Sequence, residues 1–291
     1  MKKFLIFAMI TISCLAISAC AKKKTFSSTQ YSNLFDNESI EYTRSSLSDA
    51  GIGEDNIAKF LDSVNLYNKT VPKDTLIQSG YRTEPPKYDI DAIQSSWSDK
   101  YPNFIGYNCR ITSFSLFKDF IEIGNVNKDI APYNLAFDIS SIENSPNQIF
   151  DDETFTLFKN FYAEIPTKNI SDTKEHINVA LKCFDDRQIR FKDNKKVSLI
   201  SMFFHSNIDE NENTLFIGHT GLLLTQKDGS LLFIEKLTFE EPYQIVKLPD
   251  RTALNEYLMK KYDVAFDENT AKPFIMENDK IMQGYAPLDN N

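Results

Sequence analysis

Four short apolar segments that follow one another constrain the fold of this 291-residue chain most strongly. They are rich in Leu, Ile, Phe and Val and cover residues 196–205, 214–225, 231–237 and 243–248. Asp228-Gly229 lies in a turn position between the second and third segments, which is typical of a β-hairpin. We therefore expect these segments to form an antiparallel meander.

Helices are expected on both sides of this meander in the sequence. Apolar residues recur at near-helical spacing over residues 33–68, and Gly51-Ile52-Gly53 predicts a turn between two helices there. Further helices are predicted at residues 89–97, 109–123, 151–164, 172–184 and 252–262, with an extended loop at 71–88. Runs of helices followed by runs of strands favour an α+β fold. We expect a helical extension over 37–96, an α+β domain over 97–265 and a polar tail over 266–291.

The N-terminus has the pattern of a secretory signal. Two lysines precede an apolar run, residues 4–17, that is too short to span a bilayer. Ile17-Ser18-Ala19-Cys20 resembles the lipobox of bacterial lipoproteins, which implies loss of residues 1–19 and a lipid on Cys20. The protein would then be anchored to the extracytoplasmic face of the cell membrane by a solvated tether, residues 20–36. The alternative is a plain signal peptide in which Cys20 is incidental.

An excess of acidic side chains limits the expected partners. The chain has 41 Asp and Glu against 32 Lys and Arg. Binding to nucleic acid needs a basic stripe, and none is visible. The sequence also lacks a Gly-rich phosphate loop and a Gly-x-Ser-x-Gly elbow, so nucleotide binding and serine hydrolysis have no support. The acidic pairs lack the spacing of a calcium-binding loop, and we predict neither a metal nor a cofactor.

Two cysteines lie outside the predicted signal and lipidation site. Cys109 and Cys183 could form a disulfide, or one could be a working thiol and the other a buried spectator. Cys109 directly precedes a predicted helix, whose free N–H groups and dipole would stabilise a thiolate. The competing interpretation is a small buried Cys that only packs at the start of a core helix.

His219 is the candidate base for this thiol. It lies in an otherwise non-ionisable segment, 215–224, so its imidazole needs a polar partner. A thiol nucleophile requires a base within hydrogen-bond reach and usually a third group that orients the base. The alternative is a core histidine bonded to a backbone carbonyl. His176 and His205 are interpreted as structural or surface residues, His176 on an exposed helix.

The third member depends on the hairpin register. A two-residue Asp228-Gly229 turn would place Lys236 and Thr238 on the face of His219, but a lysine cannot accept from an imidazole. A three-residue loop would pair Gly221 with Glu235 and place Glu235 on that face. A carboxylate in so apolar a strand needs a buried partner, which favours Glu235 over a position pointing to solvent at a sheet edge.

These residues carry two resemblances. An Asn-Cys pair at the head of a buried helix, followed by a Gly-His-Thr-Gly-Leu strand and a hairpin, resembles the papain-like cysteine hydrolases of the NlpC/P60 type. The resemblance covers about residues 97–248 and implies an antiparallel sheet packed against helices, with Cys109 as nucleophile and His219 as base. Arg110-Ile111 replaces the usual Ser-Gly pair after the Cys. The whole chain also resembles an uncharacterised family of bacterial lipoproteins, a domain of unknown function of the 4300 type.

The expected activity is hydrolysis or acyl transfer at an amide bond. A cell-wall peptide is the expected substrate because it lies beside the membrane anchor. The oxyanion hole would use the Cys109 backbone N–H, with Asn108, Tyr107 or Asn103 as the candidate second donor. The alternative is a non-catalytic lipoprotein of the cell envelope, with a binding or structural role, on the same fold.

Overall fold

The computed structural model describes residues 28–209, 212–263 and 270–288. The predicted signal peptide and Cys20 lie outside these residues. The helices are α1 (Asn37–Asp49), α2 (Glu54–Thr70), α3 (Ile90–Lys100), α4 (Cys109–Phe117), α5 (Ala136–Glu143), α6 (Asp152–Tyr162), α7 (Thr173–Asp186) and α8 (Arg251–Tyr262). The strands are β1 (Gln30–Ser32), β2 (Ile121–Ile123), β3 (Ile165–Pro166), β4 (Ile189–Phe191), β5 (Val197–Asp209), β6 (Glu212–Thr225), β7 (Leu231–Lys236), β8 (Tyr243–Leu248), β9 (Phe274–Glu277) and β10 (Lys280–Ile281).

One antiparallel sheet organises the fold. Its strand order is β1-β8-β7-β6-β5-β9-β10, with β3 paired to β6, while β2 and β4 form a separate pair. Strands β5 to β8 are neighbours in chain order, which confirms the predicted meander and the α+β class. Thr225 pairs with Leu231, and the Gln226 N–H donates to the Ser230 carbonyl at 2.8 Å. The turn is therefore the three-residue loop, and its register places Glu235 opposite Gly221.

The two faces of the sheet bury different apolar clusters. Leu222 and Leu224 belong to the larger cluster, which includes the apolar residues of α2, α4 and α6. Leu223 belongs to the second cluster, together with Leu254 and Leu258 of α8. Successive side chains of a strand point to opposite faces, so β6 separates a layer of several helices from α8. In the described part of the chain, no helix is long and apolar enough to cross a membrane.

Both ends of the described chain are more ordered than the sequence predicts. Residues 30–32, assigned above to a solvated tether, form β1 on the edge of β8, and Tyr31 is buried. Residues 274–277, assigned to a polar tail, form β9, which pairs with β5 and buries Phe274. The β1 segment contains one apolar residue, Tyr31, and the β9 segment contains three, residues 274–276. Pairing to an existing sheet edge stabilises such short strands, and a periodicity search does not detect it.

The helix predicted at residues 109–123 is shorter than expected. It ends at Phe117, a single 3₁₀ turn follows, and Ile121 begins β2, which pairs with β4. The apolar side chains continue across this change because both segments face the core. Helix α5, which the sequence did not predict, follows in the segment before residue 151.

Candidate active site

Three residues of the predicted site meet at the point where α4 abuts the sheet. Cys109 is the first residue of α4, His219 lies in β6 and Glu235 in β7. The Nε2 atom of His219 lies 2.6 Å from Oε2 of Glu235. The thiol of Cys109 contacts the Gly218 carbonyl oxygen at 3.8 Å, directly before His219 in β6, and His219 lowers the pKa of this thiol. All three residues are buried, with Cys109 only 4% exposed. Their catalytic role stays a prediction.

A β-bulge in β6 presents His219 to this point. Met202 of β5 pairs with His219 and the next residue, Phe203, pairs with Ile217, so Gly218 is the extra residue. Ile217 packs in the larger cluster, whereas the ring of His219 stacks on Tyr262 of α8 with centroids 4.6 Å apart. The bulge therefore places the side chain of His219 on the face of the sheet that packs against α8, where it lies beside Glu235.

The thiol and the imidazole stabilise each other's charged forms. Burial raises the pKa of the Cys109 thiol, but the charge and hydrogen bond of His219 lower it, and the net direction is downward. Burial lowers the pKa of His219. Cys109 and Glu235 raise this pKa by more than burial lowers it, and it reaches about 9. A lowered thiol pKa beside a raised imidazole pKa favours a thiolate–imidazolium pair.

The carboxylate of Glu235 is fixed on both oxygens. Burial raises its pKa, but the hydrogen bond and charge of His219, the charge of Lys261 and the Tyr257 hydroxyl lower it overall. Its Oε1 atom accepts from the Tyr257 hydroxyl and from Nε2 of Gln244, the latter at 3.1 Å. Gln244 directly opposes Glu235 in the β7–β8 pairing. Neither Gln244 nor Tyr257 was predicted from the sequence. The β7–β8 register could have indicated Gln244, whereas the polar surface of α8 gave no signal for Tyr257.

The buried carboxylate of Asp138 holds the residues on either side of Cys109. This role was not predicted from the sequence. Asp138, on α5, accepts hydrogen bonds from Nδ2 of Asn108 at 2.7 Å and from Nε and Nη2 of Arg110 at 2.8 and 2.6 Å. The Oδ1 atom of Asn108 accepts the N–H of Ile111 at 3.0 Å and so caps α4. Asn108 and Arg110 are therefore fixed to α5.

The three side chains predicted as second oxyanion donors have other environments. Asn108 caps α4 and bonds to Asp138, and the hydroxyl of Tyr107 pairs with that of Ser145. Asn103 is exposed in a turn. Their oxyanion role stays a prediction. The first N–H groups of α4, including that of Cys109, have no carbonyl partner within the helix. They are the backbone donors available to an oxyanion at this end of α4.

The remaining candidate groups have structural environments. His176 is fully buried, so its placement on an exposed helix face was wrong. The face of α7 that carries it packs against β3, where the ring bonds to the Thr167 hydroxyl at 2.9 Å and the Ile170 carbonyl at 2.7 Å. His176 also stacks on His205. Cys109 and Cys183 are both free thiols, and burial raises the pKa of Cys183.

Comparison with known proteins identifies a family. The model described as Domain of unknown function (DUF4300) matches residues 30–282, which include α4, β6 and β7. No curated protein and no solved structure matches the chain.

Proposed function

We propose that this chain, which belongs to the family described as Domain of unknown function (DUF4300), is a cysteine hydrolase or acyltransferase that acts on amide bonds. The observation that carries the proposal is the position of His219, whose Nε2 lies 2.6 Å from Oε2 of Glu235 and whose neighbour Gly218 is in contact with the Cys109 sulfur at 3.8 Å. A thiol on a helix, an imidazole on a strand and a carboxylate on the next strand are also the parts of a papain-like, NlpC/P60-like site. Those three roles define a nucleophile, its base and the group that orients the base.

The geometry supports a two-step reaction. The Cys109 thiolate attacks the amide carbonyl carbon, and N–H groups at the start of α4 stabilise the oxyanion. The His219 imidazolium gives its proton to the amide nitrogen, the C–N bond breaks and the amine leaves an acyl thioester. Neutral His219 then takes a proton from water, which attacks the thioester and releases the carboxylic acid and the thiol. An amine that replaces water would make the same step a transfer.

We propose further that a lipid on Cys20 anchors the protein to the extracytoplasmic face of a bacterial membrane, where cell-wall peptides would be the substrate. The lipobox-like sequence Ile17-Ser18-Ala19-Cys20 supports this placement. An alkyne fatty acid fed to bacteria that express the full chain should label the protein, and Cys20→Ala should lose both the label and membrane sedimentation. Equal labelling of Cys20→Ala would contradict the anchor.

The activity is tested on soluble cell-wall peptide fragments, with newly released amino groups as the measured product. The native protein and Cys183→Ala should release amines at equal rates, whereas Cys109→Ala should release none above background. Equal release by Cys109→Ala would contradict the proposal.

The 4% exposure of Cys109 and the Arg110-Ile111 sequence favour a non-catalytic envelope-binding protein as the second candidate. In that case, Cys109→Ala and the native protein would sediment equally with insoluble cell wall, and neither would release amines.

A further inference from the structure

We propose that Arg110 and Asp138 are positioning residues that hold the Cys109 nucleophile against its base. The inference rests on the proposed function. Asp138 is fully buried on α5 and accepts hydrogen bonds from both sequence neighbours of Cys109, Asn108 and Arg110. One carboxylate thereby fixes the first turn of α4 at the residues before and after the thiol.

The same arginine also reaches the strand that carries the base. Nη1 of Arg110 donates to the Ile217 carbonyl at 3.1 Å, two residues before His219 and next to Gly218, whose carbonyl oxygen the Cys109 sulfur contacts. A planar guanidinium that binds a carboxylate through two N–H groups has a fixed orientation. Arg110 therefore ties α5, the start of α4 and the bulge of β6 together, and the separation of thiol and imidazole depends on these contacts.

The charges of the pair oppose each other at the thiol. The Arg110 cation lowers the pKa of Cys109, and the Asp138 carboxylate raises it. Loss of the Asp138 charge alone would therefore lower the thiol pKa. Loss of the position that Asp138 imposes would weaken the contact with His219 and raise the thiol pKa. The two effects of one substitution thus differ in sign, which separates a positioning role from a purely electrostatic one.

The experiment measures alkylation of Cys109 by iodoacetamide as a function of pH, by mass spectrometry, in a Cys183→Ser background. For Asp138→Asn we expect the midpoint to rise by about one pH unit, which means about tenfold slower alkylation below the midpoint. Arg110→Lys keeps the charge but loses the paired N–H geometry, so its midpoint should also rise. This second variant keeps the test valid if Asp138→Asn does not fold.

A matched control breaks an ion pair of the same kind outside the site. Arg251 binds Glu277 through Nε at 2.7 Å and Nη2 at 2.5 Å, and Glu277→Gln should leave the midpoint unchanged. A midpoint in Asp138→Asn or Arg110→Lys equal to or below that of the parent would overturn the positioning role. A parent midpoint at the ordinary thiol value would instead overturn the proposed function, so the two failures are distinguishable.

Discussion

The Nε2 atom of His219 lies 2.6 Å from Oε2 of Glu235, although regular pairing between their strands begins only at Leu222 and Ile234. Continued in the same register, Glu235 would oppose Gly221, which has no side chain to separate it from His219. The hairpin register thus brings the carboxylate of Glu235 to Nε2 of the imidazole.

Glu235→Gln tests the orienting carboxylate. The amide keeps the volume of the side chain but removes the charge that stabilises the imidazolium. We expect amine release from cell-wall peptide fragments to fall by about 10²- to 10⁴-fold. Glu256→Gln, an exposed carboxylate on α8, is the control and should keep the native rate. A Glu235→Gln rate within about twofold of native would mean that the carboxylate does not assist the reaction.

Gly221→Ala tests the close approach of β6 and β7. A Cβ atom at this position would lie 2.5 Å from the ring of Phe233 and 2.7 Å from the Ile234 carbonyl oxygen. We expect a loss of about 1–3 kcal/mol in the free energy of unfolding, measured by urea denaturation with the fluorescence of Trp97, the single tryptophan. Gly53→Ala is the control because a Cβ atom there meets nothing within 4 Å. Equal free energies of unfolding for Gly221→Ala and Gly53→Ala would contradict the close approach of β6 and β7 at this position.

Lys236→Met tests the loop that follows β7. The buried Nζ of Lys236 donates to the carbonyl oxygens of Thr238, Phe239 and Glu241. Its removal leaves three carbonyls without this donor, and we expect a loss of about 3 kcal/mol or more in the free energy of unfolding.

The control for Lys236→Met is Lys227→Met. The side chain of Lys227 is 89% exposed in an ion pair with Asp49, so its loss should cost less than about 1 kcal/mol. A loss at Lys236 as small as that at Lys227 would contradict the role of Lys236 as the bonding partner of this loop.

The parts of the fold that follow from local patterns could be predicted from the sequence. Short segments rich in Leu, Ile, Phe and Val, together with Asp228-Gly229, indicated the meander, and the need of Glu235 for a buried partner favoured the register that the structure has. Asp138 could not be found in this way, because its role depends on hydrogen bonds from Asn108 and Arg110, which lie in a different part of the chain from α5. The burial of His176 likewise depends on the packing of α7 against β3 and on His205 of β5, which the residue pattern of α7 does not encode.

Activation of the Cys109 thiol by His219 is measured by the pH dependence of Cys109 alkylation. In the Cys183→Ser protein we expect a thiolate midpoint below the ordinary value of 9.0, because His219 lowers the pKa of Cys109. The imidazolium persists up to about pH 9, so the ion pair forms at pH values above the lowered pKa of the thiol and below about 9. With His219→Asn, burial is the largest remaining influence on the thiol, beside the opposed charges of Arg110 and Asp138, and it raises the pKa of the thiol, so alkylation at pH 7 should fall by at least about tenfold. Identical profiles with and without His219 would contradict the account.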